Sequence, residues 1–207
     1  MKLLLVAATK AEIAPFYNYF NLPDLDFVET ENFDVLITGV GMVATAFALG
    51  LKLNDKYAQV INLGIAGSFD YSLPLGTVVE IVNDTFIELG AEDHDNFLSI
   101  DDLGFGQSSY SSTFNLNLGL IHVNSVTVNK VTGCENSIKQ ILSLKIIETE
   151  SMEGAAVFYA CNKLNIPCAQ VRSISNYIEK RDRAKWNIGL AVKNLNDWAI
   201  SFISDMN

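Results

Sequence analysis

With 207 residues, 49% of them hydrophobic, the chain has enough apolar side chain for one continuous core, which excludes disorder and predicts a single domain over residues 1–207. Lysine and arginine number 14 against 24 acidic residues, and a formal net charge of -10 excludes the basic footprint that binds nucleic acid. No apolar run approaches the ~20 residues that cross a bilayer, so no membrane partner is expected. The three cysteines, Cys134, Cys161 and Cys168, read as small buried side chains of a protein in the reducing cytoplasm.

The apolar run KLLLVAA at 2–8 is too short for a signal peptide and reads as a first strand. Thr9-Lys10-Ala11-Glu12 then fits the T-x-x-E capping box that opens a helix, here over 10–19. DVLITGV at 34–40 is a second strand, leading through the G-x-G of Gly39 and Gly41 into a helix over 42–54. AQVINLGI at 58–65 and GTVVEIV at 76–82 add two strands, with the glycine turn LGIAGSFD at 63–70 between them. Glycine lets a backbone approach a ligand closely, but neither the GxGxxG dinucleotide fingerprint nor the GxxxxGK[ST] phosphate loop occurs.

Residues 88–118 are rich in Gly, Ser, Asn and acids and read as a long excursion suited to covering a pocket. His94 falls in it and His122 in the next strand, 119–128; neither has a metal-ligand companion, so no metal and no cofactor is expected. A strand at 145–150 and a helix from 152 follow, then a strand at 167–175 and a long helix from about 184. In that helix Ile188, Ala191, Leu195, Trp198 and Phe202 recur at steps of three and four, one apolar stripe against a core. The alternation predicts a layered α/β fold with a largely parallel sheet.

Ligands of such sheets bind outside the carboxyl ends of the strands. Glu12, Glu153 and Asn176 each fall just beyond a predicted strand and can converge there. Each also has a local explanation. Glu12 is the reciprocal partner of the capping box, Glu153 in a first helical turn is favoured by the macrodipole by about 0.3–1 kcal/mol, and Asn176 can close a turn.

The segments GVGMVATA, NLGIAG, VTVNKVTG, SMEGAA and VRSISNYIEKRDRAKWNI follow the order found in the purine nucleoside phosphorylase and nucleosidase superfamily, and within it the chain is most similar to the futalosine hydrolases. The resemblance covers nearly the whole chain. It implies a three-layer fold with a central mixed, largely parallel sheet flanked by helices, a small-molecule nucleoside substrate, no cofactor, and a homo-oligomer. It gives Glu153 the ribose 2′ and 3′ hydroxyls, Glu12 the attacking water and Asn176 the purine. It also brings Met152, Arg172, Ser175, Gly67, Ala66, Val131 and Gly133 to the substrate.

The related adenine-specific nucleosidases carry Asp where this chain has Asn176. An Asn side chain both accepts and donates, which suits a 6-oxopurine and favours hypoxanthine as leaving group. The chain has no arginine before Arg172, and the others are Arg181 and Arg183, so the early arginines with which relatives bind phosphate are missing and water is the expected nucleophile. Two departures stand out: Ile65 replaces a serine that helps hold the water, and Met42 replaces a lysine. Lys180, Arg181, Arg183 and Trp186 are candidates for the carboxylated aromatic end of futalosine. Alternatives are a nucleosidase acting on methylthioadenosine, S-adenosylhomocysteine or aminodeoxyfutalosine, an inosine-type phosphorylase, and a nucleoside-binding protein without catalysis.

Overall fold

The computed structural model describes residues 2–94, 96–114 and 119–206. β1 (Lys2–Ala7) is buried from Leu3 onward, as an unbroken apolar run must be when both faces of a sheet are covered. Leu3 and Leu5 enter a core shared with α1 (Ala14–Tyr19) and α5 (Ile188–Asp205). Leu4 and Val6 enter another shared with α2 (Met42–Lys52) and α4 (Gly154–Leu164). The two-residue period of one strand thus sets up three layers, helices on either side of the sheet.

β1 lies between β3 (Phe33–Ile37) and β4 (Tyr57–Ser68), parallel to both, and β2 (Phe27–Glu29) pairs antiparallel with β3. Beyond β4 the order runs β11 (Cys168–Tyr177), β5 (Val78–Phe86), β9 (Ile121–Thr127) and β10 (Thr149–Ser151). β10 then returns to pair with β4, so five strands close on themselves like a small barrel. The sheet is mixed: β5 is antiparallel to β11, and β10 to β4.

β4 joins the flat and the closed parts. Along one edge it pairs with β11 from Val60 to Ser68; along the other it pairs with β1 up to Leu63 and with β10 from Gly67. Gly64 to Ala66 have no strand on that edge, and their backbone groups need other partners. The site is built around this gap.

Several sequence expectations shift. The excursion over 88–118 contains a hairpin, β6 (Gly90–Asp93) with β7 (Asn96–Ser99), and β8 (Ser109–Ser111) on β5. β6 is exposed throughout, so no apolar alternation marks it. Residues 95 and 115–118 of this segment lie outside the described residues. α3 (Glu135–Leu144) was not expected and has no buried residue to give it a core-facing stripe. The strand expected at 145–150 is confined to Thr149–Ser151, with Ile146 turned to solvent. The helix expected over 10–19 divides into a 3-10 turn, Lys10–Ile13, and α1, with Pro15 in the first turn of α1.

The last helix begins at Ile188 rather than near 184, because Asp182 caps a separate turn over Arg183–Lys185 and Asn187 caps α5 by accepting from Leu190 N–H. Its buried stripe is Ala191, Leu195, Ala199 and Ile203. Trp198 and Phe202 stack on each other at its flank, and Ile188 is exposed. No helix among the described residues is long and apolar enough to cross a membrane.

α4 starts at Gly154, where an added Cβ would lie 2.1 Å from Asp84 Oδ2 and 2.4 Å from Gln170 Oε1. Gly154→Ala is therefore expected to lower stability by about 1–3 kcal/mol in urea titration. An unchanged midpoint would mean that α4 moves freely away from β5 and β11.

Candidate active site

Glu12 fills the gap in β4. Thr9 is extended and caps the turn that follows β1: its Oγ1 accepts from Glu12 N–H at 3.3 Å, and Glu12 Oε2 accepts in return from Thr9 N–H at 3.1 Å and Thr9 Oγ1 at 2.8 Å. The capping box read from the sequence is present. The other oxygen, Oε1, accepts from Ile65 N–H at 3.2 Å, within the uncovered stretch of β4. The cap therefore fixes a carboxylate that lines the cavity. From behind, Asn196 of α5 donates to the Glu12 carbonyl at 2.8 Å and accepts from Phe16 N–H at 3.0 Å.

Glu153 is the N-cap of α4, but its side chain leaves the helix, and Oε1 accepts from Gly41 N–H at 2.8 Å. Gly41 has φ +93°, which glycine alone adopts readily, so the G-x-G turn presents an N–H to this carboxylate. Burial pushes the Glu153 carboxyl above its ordinary range, with the Gly41 hydrogen bond and Arg172 opposing.

Beneath both acids lies Arg172 on β11, only 2% exposed. Its guanidinium bonds Asn62 Oδ1, and donates to the Asn62 carbonyl at 3.4 Å and the Val171 carbonyl at 3.3 Å. Burial depresses its basicity, while Glu153, Asp84 and Glu12 sustain the charge. Gly64 stands between Arg172 and Glu12: a Cβ there would be 3.1 Å from Arg172 Nη1 and 3.2 Å from Glu12 Oε1.

Asn176 owes its position to a bulge. Ile174 and Asn176 pair with consecutive residues of β4, Ala66 and Gly67, leaving Ser175 as the extra residue. Ser175 Oγ lies 3.1 Å from the Ala66 carbonyl and 2.8 Å from Asn176 Oδ1, and Asn176 Nδ2 donates to the Tyr177 carbonyl at 3.1 Å.

These groups line a cavity of about 360 Å³. Of the residues singled out in the sequence, Glu12, Glu153, Asn176, Met152, Ser175, Ala66, Gly67 and Val131 line it, joined by Ile65, Arg181 and Trp186. Arg172 does not, because it is sealed beneath the sheet end and faces the acids from behind. Gly133 does not either: the chain turns away after Thr132, and the space beside Gly133 is taken by Arg181, 3.3 Å from where a Cβ would be. Lys180, Arg183 and the described part of the 88–118 segment are also absent from the lining.

Among the lining residues that the sequence reading did not single out is Glu150, which is tied to Thr132. Glu150 Oε1 accepts from Thr132 N–H at 2.8 Å and Oε2 from the Thr132 hydroxyl. Burial raises the Glu150 carboxyl as well. The available signal was the two-residue spacing from Met152 in an extended segment. His94 is exposed in the β6–β7 turn, and His122 Nε2 sits 3.4 Å from Glu80 Oε2. Among the described residues no cluster of three or more His, Cys, Asp or Glu is arranged to hold a metal.

Residues 33–204 match the phosphorylase superfamily, and the chain belongs to that family. Within it the chain falls in the group of methylthioadenosine nucleosidases and futalosine hydrolases and is a hydrolase of N-glycosidic bonds. It is 32% identical to a futalosine hydrolase of Streptomyces coelicolor, over 81% of this chain and 77% of that one. It is 28% identical to a 5'-methylthioadenosine/S-adenosylhomocysteine nucleosidase of Colwellia psychrerythraea, over 71% and 68%. In fold it resembles the futalosine hydrolase of Helicobacter pylori strain 26695, with a TM-score of 0.84, 16% identity, and coverage of 99% of this chain and 98% of that one.

Asp84 explains the glycine of the Met-Glu-Gly segment. Fully buried, it accepts from Thr127 Oγ1 at 2.9 Å and Gln170 Nε2 at 3.2 Å, and Thr127 Oγ1 accepts from Ala155 N–H at 2.8 Å, so the first turn of α4 rests on it. Burial pushes Asp84 up to about 6. A folded carboxyl above its unfolded value, about 3.9, takes up a proton on folding, so this contribution to stability is lost as pH rises from about 4 to 6. Gln170 Oε1 has no partner among the described residues, and an amide at 84 can donate to it. Asp84→Asn should therefore be more favourable at pH 7 than at pH 4 by about 2 kcal/mol, compared by urea titration. An equal effect at both values would remove Asp84 from the pH dependence.

Proposed function

We propose that this nucleosidase hydrolyses the N-ribosidic bond of futalosine, releasing hypoxanthine and dehypoxanthine futalosine, in the alternative menaquinone pathway. The observation that carries the reading is Asn176 in the cavity wall. Its amide can accept from purine N7–H and donate to a 6-carbonyl oxygen, whereas a 6-amino group would face a donor. A mismatched buried hydrogen bond costs about 1–3 kcal/mol, enough to select the leaving group.

The other roles follow from charge and reach. Glu12 takes the proton of the attacking water as the C–N bond opens. Glu153 grips the two ribose hydroxyls and sets negative charge beside a sugar that becomes positive in the transition state, so its attraction grows as the reaction proceeds. Met152 supplies an apolar contact to the sugar. Arg181 and Trp186, with the guanidinium 5.1 Å from the ring centroid, offer a cationic and aromatic surface for the carboxylated aromatic end of the substrate. Of the three arginines only Arg181 lines the cavity, which supports water over phosphate as nucleophile. The similarity to named futalosine hydrolases supports the same reading.

The test is hypoxanthine release by purified protein from futalosine in phosphate-free buffer, beside inosine, methylthioadenosine and aminodeoxyfutalosine. Release from futalosine is expected, with Glu12→Gln lowering kcat by about 100-fold or more at little change in KM. Adenine release alone would favour the methylthioadenosine-type reading, turnover only with added phosphate would favour a phosphorylase, and no turnover of any nucleoside would leave a binding protein.

A homo-oligomer belongs to the same reading. Val43, Phe47 and Leu51 form an exposed apolar stripe along α2 at helical spacing, and the exposed Val40 just before the helix also lines the cavity. Sedimentation should give a mass above the 22.8 kDa of one chain, reduced by Phe47→Glu; a wild-type monomer would refute it.

A further inference from the structure

Gly67 of β4 is the register partner of two polar residues, Glu150 of β10 on one side and Asn176 of β11 on the other. Register partners in a sheet project to the same face, and adjacent strands lie about 4.8 Å apart. Glu150, Gly67 and Asn176 therefore form one row, with the two polar residues about two strand spacings apart, ~10 Å, and the middle position contributing no side chain of its own. Glycine is required there, because a Cβ on Gly67 would lie 2.9 Å from Ile178 Cγ1 and 3.2 Å from Asn176 Nδ2; Ile178 instead covers the middle of the row with an apolar surface on which a flat ring can lie. All three residues line the cavity.

A flat ring with two diverging hydrogen-bonding edges fits such a row. A purine has these: N7 and the 6-substituent form one edge, and N1, on the other side of the 6-substituent, belongs to the next. With Asn176 at the first edge, Glu150 stands opposite the second.

We propose that Glu150 is a specificity-determining residue whose carboxylate accepts a hydrogen bond from N1–H of a 6-oxopurine. The proposal rests on the assignment of Asn176 to the purine made above and names the partner of the second edge. An ionised carboxylate is acceptor-only, with about four acceptor positions over its two oxygens. Thr132 N–H takes one position on Oε1 and the Thr132 hydroxyl one on Oε2, so each oxygen keeps capacity facing the cavity while the side chain is held in place. Among the described residues no basic group lies within ion-pair distance of Glu150, and Arg181, which also lines the cavity, has its guanidinium over Trp186. Hypoxanthine carries a hydrogen on N1 and satisfies the acceptor. Adenine carries a lone pair there, which would face the carboxylate with no proton between them. Glu150 and Asn176 thus reject adenine at two separate atoms.

The experiment compares wild type with Glu150→Gln and Thr132→Val in two readouts. These are kcat/KM for futalosine against aminodeoxyfutalosine, and calorimetric affinity for free hypoxanthine against free adenine. Glu150→Gln keeps the shape and can still bond Thr132, but it can present an amide donor to N1. Both preferences for the oxopurine should fall about 10- to 100-fold. Thr132→Val loosens the anchor but keeps the carboxylate, so both substrates should weaken together with the ratio held within about threefold. A Glu150→Gln protein with an unaltered ratio, or one weakened equally toward both bases, would reduce Glu150 to an anchor for the Thr132 segment and overturn the proposal. Free-base binding separates this failure from failure of the functional reading. A protein that prefers hypoxanthine through Glu150 yet does not cleave futalosine retains the inference and loses the substrate, and one that cleaves futalosine with a ratio insensitive to Glu150 does the reverse.

Discussion

One buried guanidinium holds the site together. Arg172 lies under the cavity floor, out of water, and is kept charged by Glu12, Glu153 and Asp84 around it. Burying that charge costs several kcal/mol unless it is paired and hydrogen-bonded. Conversely, Arg172 helps hold the buried Glu153 carboxyl in its charged form against the cost of burial. Gly64 follows from the same constraint, because a side chain there would push into both Arg172 and Glu12. Counted as charges, three carboxylates against one guanidinium leave an excess of negative charge at the end of the sheet. That suits a reaction in which a neutral sugar becomes cationic, and it repels the phosphate that a phosphorylase must bind.

The excess is available because β4 is left bare over three residues. β1 stops at Ala7 and β10 arrives only at Gly67, so the Ile65 N–H has no strand to bond and takes the Glu12 carboxylate instead. A backbone donor that would otherwise be an unpaired buried group positions the proposed base. The same economy recurs at Gly41, where the left-handed turn before α2 gives its N–H to Glu153 across the cavity. Both acids are thereby fixed by backbone rather than by mobile side chains, and no reorganisation is needed when charge develops.

This arrangement explains what could be read from the sequence. The strand-ending acids were visible because each sits at a punctuation point: Glu12 in a capping box, Glu153 where an extended segment becomes an apolar helix, Asn176 after a buried strand. The alternation of apolar strand-length runs with helical patterns made the layers legible as well. Arg172, brought to the substrate by the resemblance, lies buried behind the acids rather than in the cavity lining, a placement that no local sequence pattern announces. Glu150 ends the strand expected at 145–150, and nothing local separates it from a solvated strand end; Gly133, brought to the substrate by the resemblance, instead makes room for Arg181. The closing of five strands depends on β10 pairing twice, a long-range contact that leaves no local mark. The stripe of α5 holds at Ala191 and Leu195 and then passes to Ala199 and Ile203, with the large Trp198 and Phe202 packing at its margin.

Acceptor arithmetic then distinguishes carboxylates that look alike in sequence. A carboxylate offers about four acceptor positions. Glu12 has given three to Thr9 N–H, the Thr9 hydroxyl and Ile65 N–H, which leaves room for one further donor, the number that a single water needs. The serine missing at Ile65 is thus compatible with hydrolysis, because the backbone of that residue orients the acid and the acid can orient the water. Glu153 gives one position to Gly41 N–H and keeps enough for both hydroxyls of a ribose. Glu150 gives two to Thr132 and keeps an acceptor face toward the opposite side of the cavity. In the proposed reaction the three acids differ in role because the backbone around each has already claimed a different share of the same four positions.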